Sequence, residues 1–355
     1  MKTAQITGVA AYLPEGRLDN ATLVKSFPKW TEEKLRRKLG IVERPVAGKD
    51  ETAADLGYAA ARRLFDAGLA KPEEIDFLVL CTQSPDYILP TSACLLQHRL
   101  GLRQECGAFD VNLGCSGYVY CLGVCKGLIE SGLAKKILLI TAETYTKYVN
   151  DRDSVSRPIF SDGAAATLLE ACEAPSADVL AGEPGVGPFE FGSDGSGANM
   201  LIVEAGAART PSTPETAVEH VDVGGNYRSK DQLYMNGPGV FTFSINVVPP
   251  LVKRFEDMAS ERGAEIDAYL LHQANKFMLD RLRDLCDVDS AKYFNDVTTR
   301  GNTVSSTIPI AIIDAVRTGL VKPGSCALLV GFGVGLSWGA GLVRFPENFR
   351  VVPLE

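Results

Sequence analysis

Three side chains in this sequence, Cys115, His272 and Asn302, have the types and settings to make and break bonds at a thioester. Cys115 sits in VNLGCSGYVY, after an apolar run and at the start of a stretch that predicts a helix rich in small residues. The unpaired N–H groups and positive dipole end of such a helix favour a thiolate, which predicts a thiol pKa below its free value. Gly114 and Gly117 permit a tight turn and close approach of a substrate. The chain has nine cysteines, and a small buried hydrophobe is the plain structural reading of any one of them. Only three histidines are present. His98 in LLQHRLGL reads as a surface or capping residue, and His220 in PETAVEHVDV as a solvated one. His272 follows the apolar run AYLL, so it emerges at the C-terminal end of a strand, where open α/β sheets place ligands. It is equally readable as a core histidine. Asn302, in RGNTVSSTIPIAI, lies between a strand-like segment and a helix, where Asn302 or Thr303 can also serve simply as a helix cap.

Side by side, the three suggest a reaction. A cysteine attacks a thioester carbonyl and keeps the acyl group. A neutral imidazole N–H and an amide N–H bind the carbonyl oxygen of a second thioester and stabilise the enolate formed when it loses CO₂. The enolate carbon then attacks the acyl-cysteine. The tetrahedral intermediates require a further pair of backbone donors, and the Cys115 amide with the turn Gly331-Phe332-Gly333-Val334-Gly335 fits that need. Papain-type proteases use the same trio in the same order, but their C-G-S-C-W signature is absent: the local sequence here is GCSGY.

The elements that must hold these residues alternate between β-rich and helical runs, as in an α/β protein. Strands are predicted at Ile6–Ala11, Ile75–Thr82, Gly107–Leu113 and Lys136–Ala142. Helices are predicted at Thr52–Ala67, Ala93–Leu100 and Ser116–Ser131. The second half repeats the first. AEIDAYLLHQA echoes EEIDFLVLCTQ, and TGLVKPGSCALLVGFG echoes SGLAKKILLITAE. A shift of 187 positions places Gly132-Leu133 on Gly319-Leu320 and Cys115 on Asn302, while Ile75 and Ile266 require 191. A single duplication predicts two α/β halves, residues 1–175 and 218–355, whose equivalent loops face one cleft. The Gly-, Pro- and Ser-rich stretch 176–217 reads as the connection, with strands around Phe189–Ser193 and Met200–Glu204.

Composition sets the outer bounds. With 36 Lys and Arg against 44 Asp and Glu, the chain has no basic footprint, which argues against nucleic acid. Nine scattered cysteines without a C-x-x-C pair point to a reducing compartment. The start, MKTAQITGVAAYLPEG, is not a signal-peptide core. The most apolar segment, Cys326–Val343, carries five glycines and reads as buried strands meeting at a turn rather than a membrane span. The expectation is a cytoplasmic protein without a membrane partner.

Nearly the whole chain resembles the β-ketoacyl-acyl carrier protein synthase III family of the thiolase superfamily. The likeness runs through ITGVAAYLPEGRLDNATL, LGIVERPVA, ILPTSACLLQHRLGL, AFDVNLGCSGYVYCL, IFSDGAAATLL, LLHQAN, RGNTVSSTIPIAI and GFGVGLSWGAGLVRF. The resemblance implies a thiolase-like, duplicated, five-layered αβαβα fold and a homodimer. It also implies condensation of an acyl-CoA or acyl-carrier-protein primer with malonyl-acyl carrier protein, with loss of CO₂ and without metal or redox cofactor. Cys115 would be the nucleophile, His272 and Asn302 the decarboxylation pair, Asn275 a buttress, and Gly333, Val334 and Gly335 the oxyanion turn. Thiolases carry a second cysteine where this chain has Gly331, elongating synthases use a second histidine, and no glutamate matching hydroxymethylglutaryl-CoA synthases is evident. Members that only transfer an acyl group tend to lose the asparagine.

Several positions depart from the family pattern. Phe277, with Lys276 beside it, stands where many acetyl-primed members have arginine. The tryptophan–arginine pair that grips coenzyme A is respaced, leaving Trp30, Arg36, Arg37 and Lys38 as candidates, unless they form a solvated helix face. Val334 replaces a usual glycine and requires φ below zero. Leu89 matches the position that closes the partner's acyl pocket, where an aromatic is common, and predicts room for a longer chain. These departures also keep open a condensing or acyl-transfer enzyme of a specialised alkylquinolone, resorcinol or polysaccharide-linked pathway. A non-catalytic partner subunit would have been free to lose the triad.

Overall fold

The computed structural model describes every residue except Pro28, Ala177 and Glu355. Numbering only the strands of the two central sheets, β1 is Lys2–Tyr12, β2 Phe77–Cys81, β3 Gly107–Val111, β4 Lys136–Glu143 and β5 Gly163–Glu173. β6 is Gly185–Ser193, β7 Ala268–Leu271, β8 Cys326–Gly333, β9 Ser337–Arg344 and β10 Arg350–Val351. The helices are α1 Asn20–Ser26, α2 Glu32–Leu39, α3 Ala53–Asp66, α4 Ser92–Arg99, α5 Gly117–Glu130, α6 Gly237–Glu261, α7 Lys276–Cys286 and α8 Thr307–Arg317.

The first sheet has the order β10-β1-β5-β4-β2-β3 and the second β7-β8-β9-β6. In the first, β4 runs parallel to β2 and antiparallel to β5, which is antiparallel to β1. In the second, β8 runs parallel to β7 and antiparallel to β9, which is antiparallel to β6. The two halves therefore share one connectivity, as the internal repeat predicts. Strands that are covered on both faces need continuous apolar runs, and β4 and β8 have them in KILLITA and CALLVGF.

Helices α5 and α8 lie between the sheets, packed on β1 on one side and on β8 and β7 on the other. From Thr307 to Ala315 every residue of α8 is buried. The core between the sheets joins Val119 and Leu122 of α5, Ile308 and Ile312 of α8, and strand residues from both halves. Helices α3 and α4 cover the outer face of the first sheet, and α6 and α7 that of the second. The result is five alternating layers, the thiolase-like arrangement. At the start of α3, Thr52 Oγ1 accepts the Asp55 N–H while Asp55 accepts the Thr52 N–H, which fixes that end by a capping box.

Strand β6 belongs to the second sheet, so the second half takes up chain before residue 218, inside the stretch read as a connection. The physical reason is that β9 would otherwise present an unpaired edge. The C-terminal strand β10 returns to pair with β1 of the first sheet. Among the described residues no helix is long and apolar enough to cross a membrane. All nine cysteines are free.

Candidate active site

Cys115 occupies the turn from β3 into α5. The Gly117 N–H closes that turn on the Gly114 carbonyl at 2.8 Å, and the cysteine is buried. The glycine turn between β8 and β9 packs directly against it. A Cβ on Gly333 would lie 2.8 Å from the Cys115 sulfur, and one on Gly331 would lie 2.7 Å from the Ser116 Cα. No side chain fits at Gly331, which excludes a second cysteine there. The two turns are tied together by hydroxyls: Ser337 Oγ donates to the Val334 carbonyl at 2.8 Å, so Ser116 Oγ donates to Ser337 Oγ at 2.7 Å. Val334 has a negative φ, since Asp287 and Val304 are the non-glycine residues with positive values among those described. Its backbone N–H is aimed at the thiol.

The expectation of a thiolate at rest is reversed. Burial pushes the Cys115 thiol up to about 12, outweighing the Val334 N–H, and Glu143 adds to the rise. Removing the sulfur from water costs the ion more than one N–H and a helix end return.

His272 follows β7, and its N–H continues the parallel pairing onto the Val330 carbonyl at 2.8 Å. Burial pushes the imidazole down to about 3, with the Val304 carbonyl pulling the other way, so the ring is neutral at physiological pH. Its Nδ1 lies 2.7 Å from Thr307 Oγ1.

Asn302 is held between the halves. Its N–H donates to the Ile159 carbonyl at 3.0 Å, and its carbonyl accepts the Ser161 N–H at 2.9 Å. Its side chain takes the Val304 N–H at 2.9 Å, so that atom must be the oxygen. The amide nitrogen is then left for the cavity. The capping alternative is thus true of one half of the side chain: the oxygen serves the local turn, while α8 itself starts from Ser306 without a side-chain cap bond. Val304 has φ 55°, a costly conformation for a β-branched residue, of the kind that gathers at functional sites.

Cys115, His272 and Asn302 line one cavity of about 90 Å³, walled by Phe160, Leu201 and Phe332. Asn275 lines it too, and its Oδ1 caps α7 by accepting the Met278 N–H at 3.0 Å. A neighbouring cleft of about 650 Å³ shares Gly237, Asn275 and Met278 with this cavity and is edged by Arg37, Lys38 and Phe277. Phe277 is exposed and stacks on Phe241 at 5.5 Å. Arg36 is turned to Glu33 at 2.8 Å, Lys276 to Asp280 at 2.5 Å, and Trp30 lies under the Lys34 and Lys38 ammonium groups at 4.9 and 5.7 Å. Of these expected binding residues, Arg37, Lys38, Phe277 and Asn275 border the cleft, whereas Arg36, Lys276 and Trp30 do not line it. On the other side of Val334 a cavity of about 560 Å³ is lined by Gln83, Tyr145, Leu201 and Leu233. Leu89 is 79 % exposed beside it and does not line it within one chain.

Residue-by-residue reasoning missed three contributors. Thr307 holds His272. Tyr145 forms the wall between Cys115 and the Val334-side cavity. Glu143, at the end of β4, is wholly buried and accepts the Gln83 N–H and the Ser84 and Ser305 hydroxyls, tying the Asn302 turn to the first half. Burial raises its carboxyl to about 8 against those donors. An acidic residue ending the mostly apolar run KILLITA was the available signal.

Residues 109–195 match the family model described as 3-oxoacyl-[acyl-carrier-protein] synthase III, and residues 258–345 match the C-terminal model of the same enzymes. A β-ketoacyl-[acyl-carrier-protein] synthase III from Chlamydia caviae is 34% identical, with 98% of each chain covered. A crystal structure of a 3-oxoacyl-(acyl-carrier-protein) synthase III superposes with TM-score 0.92 at 47% identity, covering 97% of this chain and 100% of the other. A 3-oxoacyl-(acyl-carrier protein) synthase from Burkholderia xenovorans gives 0.87 at 30% identity, with 100% and 98% covered.

Proposed function

The chain belongs to the 3-oxoacyl-[acyl-carrier-protein] synthase III family, and from that premise we propose how its own residues carry out the reaction. An acyl primer is condensed with malonyl-acyl carrier protein to give a 3-oxoacyl thioester and CO₂, as in the first round of fatty-acid synthesis. Cys115 Sγ attacks the primer's thioester carbonyl, the bond to the carrier sulfur breaks, and the thiol proton leaves with the carrier thiol. The Cys115 and Val334 N–H groups receive the transient oxyanion.

The malonyl thioester then enters with its carbonyl oxygen between His272 and the Asn302 amide nitrogen. Loss of CO₂ leaves an electron pair that becomes an enolate, and the two donors hold its oxygen. The enolate carbon attacks the acyl carbon on Cys115 and expels the cysteine sulfur, which takes a proton from water to restore the thiol. One observation carries this reading: a thiol, a neutral imidazole and an amide whose oxygen is already engaged converge on one apolar cavity.

Further features support the wider picture. Arg37 and Lys38 at the cleft mouth suit the phosphate of a carrier arm or of coenzyme A. The open edge of β3, with Tyr87, Ile88 and Leu89 exposed nearby, supports a homodimer in which the partner's Leu89 loop closes the Val334-side cavity. Nine unpaired cysteines suit the cytoplasm. The two halves are taken to meet at this site, which needs residues from both.

The test separates the half-reactions. Cys115→Ala should abolish acyl transfer, whereas Asn302→Ala should retain self-acylation and lose CO₂ release; equal loss of both would overturn the assigned roles. Intact mass after exposure to acetyl- through dodecanoyl-CoA reads primer length, and strict acetyl preference would defeat the role given to Leu89.

A further inference from the structure

We infer that Ser337 and Ser116 are positioning residues for acyl transfer: their hydroxyls form a latch that keeps the Val334 N–H on the Cys115 sulfur. The inference rests on the oxyanion role given to that N–H above. Ser337 stands on β9 and Ser116 at the head of α5, and both are buried. A carbonyl can only accept, so the 2.8 Å contact makes Ser337 Oγ the donor to the Val334 carbonyl. With that proton spent, the 2.7 Å contact between the two hydroxyls takes its proton from Ser116. Ser116 is the N-cap residue of α5, where a serine hydroxyl commonly accepts from the helix, yet it makes no cap bond. Its hydroxyl serves the glycine turn instead.

The turn needs such a hold. Gly333 and Gly335 have φ of 154° and 141°, so Val334 is flanked by backbone that only glycine adopts freely. Gly333 pairs with Ser337 in the β8–β9 ladder, and Leu336 is tied to Asp194 by backbone bonds of 3.1 and 2.8 Å. Between these anchors the Val334 carbonyl is held by a side chain. That carbonyl and the Val334 N–H lie in adjacent peptide planes, joined only through the two dihedrals of Val334. A β-branched residue makes a stiff joint, so fixing the carbonyl also aims the N–H. Neither serine acts on the sulfur itself; both act through Val334.

The half-reactions tell a latch from a mere stitch between the two halves. In Ser337→Ala, self-acylation of Cys115, read by intact mass, should fall about 30-fold, short of the roughly 10²–10³ lost with a whole oxyanion donor. CO₂ release from malonyl-carrier protein without primer uses His272 and Asn302, and should stay within about 3-fold of wild type. Ser337→Thr keeps the hydroxyl and should bring self-acylation back to within about 3-fold of wild type. Ser116→Ala should slow it about 5-fold, and the double alanine variant should be no slower than Ser337→Ala alone, since Ser116 acts through Ser337. Iodoacetamide alkylation gives a readout that needs no acyl group. Losing the N–H from the sulfur should move the pH profile of Cys115 upward, so that Ser337→Ala reacts about 3-fold more slowly near pH 9 and Ser337→Thr as wild type.

Equal loss of both half-reactions in Ser337→Ala overturns the inference, as does self-acylation at the wild-type rate. So does a threonine variant that melts as wild type yet acylates as slowly as alanine, or a double variant slowed by the full product of the single effects. Should either Ser337 variant fail to fold, Ser116→Ala decides: slowed acylation with CO₂ release intact upholds the latch, and wild-type acylation overturns it. A wild-type chain that takes no acyl group from any thioester would sink the proposed function. The alkylation profiles would then decide the latch by themselves, an unchanged profile in Ser337→Ala overturning it.

Discussion

Replacing Asn302 with aspartate removes one of the two donors that the proposed decarboxylation requires and leaves the rest of the side chain in place. In the structure Oδ1 takes the Val304 N–H at 2.9 Å, and an aspartate oxygen can make the same bond. The turn, with Val304 at φ 55°, should therefore survive, as should the Cys115 side of the cavity. What disappears is the Nδ2 donor. Removing one donor from an oxyanion site costs about 10²–10³ in rate, or roughly 2.7–4 kcal/mol. An ionised carboxylate beside an enolate adds repulsion, so the expected loss lies at or beyond the upper end. Asn302→Ala behaves differently, because it also leaves the buried Val304 N–H without an acceptor, at a stability cost of about 1–3 kcal/mol. The assay compares acyl-Cys115 formation by intact mass, labelled CO₂ release from a malonyl thioester, and thermal melting for both variants. Aspartate should spare acylation and melting while alanine lowers the melting temperature. An aspartate variant that releases CO₂ within about 5-fold of wild type, or that loses acylation in the same proportion, would refute the division of labour within this side chain.

Three other outcomes are expected. Gly333→Ala should block self-acylation, because its methyl would sit 2.8 Å from the sulfur; an acylation rate near that of wild type would show that the turn can yield. Alkylation of Cys115 by iodoacetamide, followed by peptide mapping, should be slow near neutral pH and rise about tenfold per pH unit toward the thiol's pKa of about 12, whereas a plateau near pH 7 would restore the thiolate at rest. Glu143 keeps its proton to about pH 8 when folded, against 4.5 for the ordinary carboxyl, so the folded chain binds the extra proton between those values. Its contribution to stability therefore falls as pH rises through that window, and Glu143→Gln should gain melting temperature relative to wild type from about pH 5 to about pH 8. A pH-independent difference would place the raised carboxyl elsewhere.

Much of the scaffold was legible because its signals are local. The apolar runs of β2 and β4, the alanine-rich helix α3 and the small-residue helix after Cys115 each follow from a few neighbouring residues, and their observed limits differ from the expected ones by only a residue or two. The echo between the halves gave the matching connectivity of the two sheets. Strand β6 begins in a Gly- and Pro-rich stretch, and its partner β9 lies about 150 residues away, so only Phe189–Ser193 stood out beforehand. Trp30 and Arg36 had the right composition for a ligand, but their neighbours Lys34, Lys38 and Glu33 engage them instead.

Residue type and order alone singled out Cys115, His272 and Asn302 as candidates, together with the duplicated α/β plan and the glycine turn, because each is written in contiguous stretches of chain. Tertiary structure alone decided that Cys115 rests as a thiol, that Asn302 turns its nitrogen to the cavity, and that Thr307 and Glu143 support the site. Protonation and hydrogen-bond direction depend on which distant groups displace water around an atom, and folding brings those groups together from both halves.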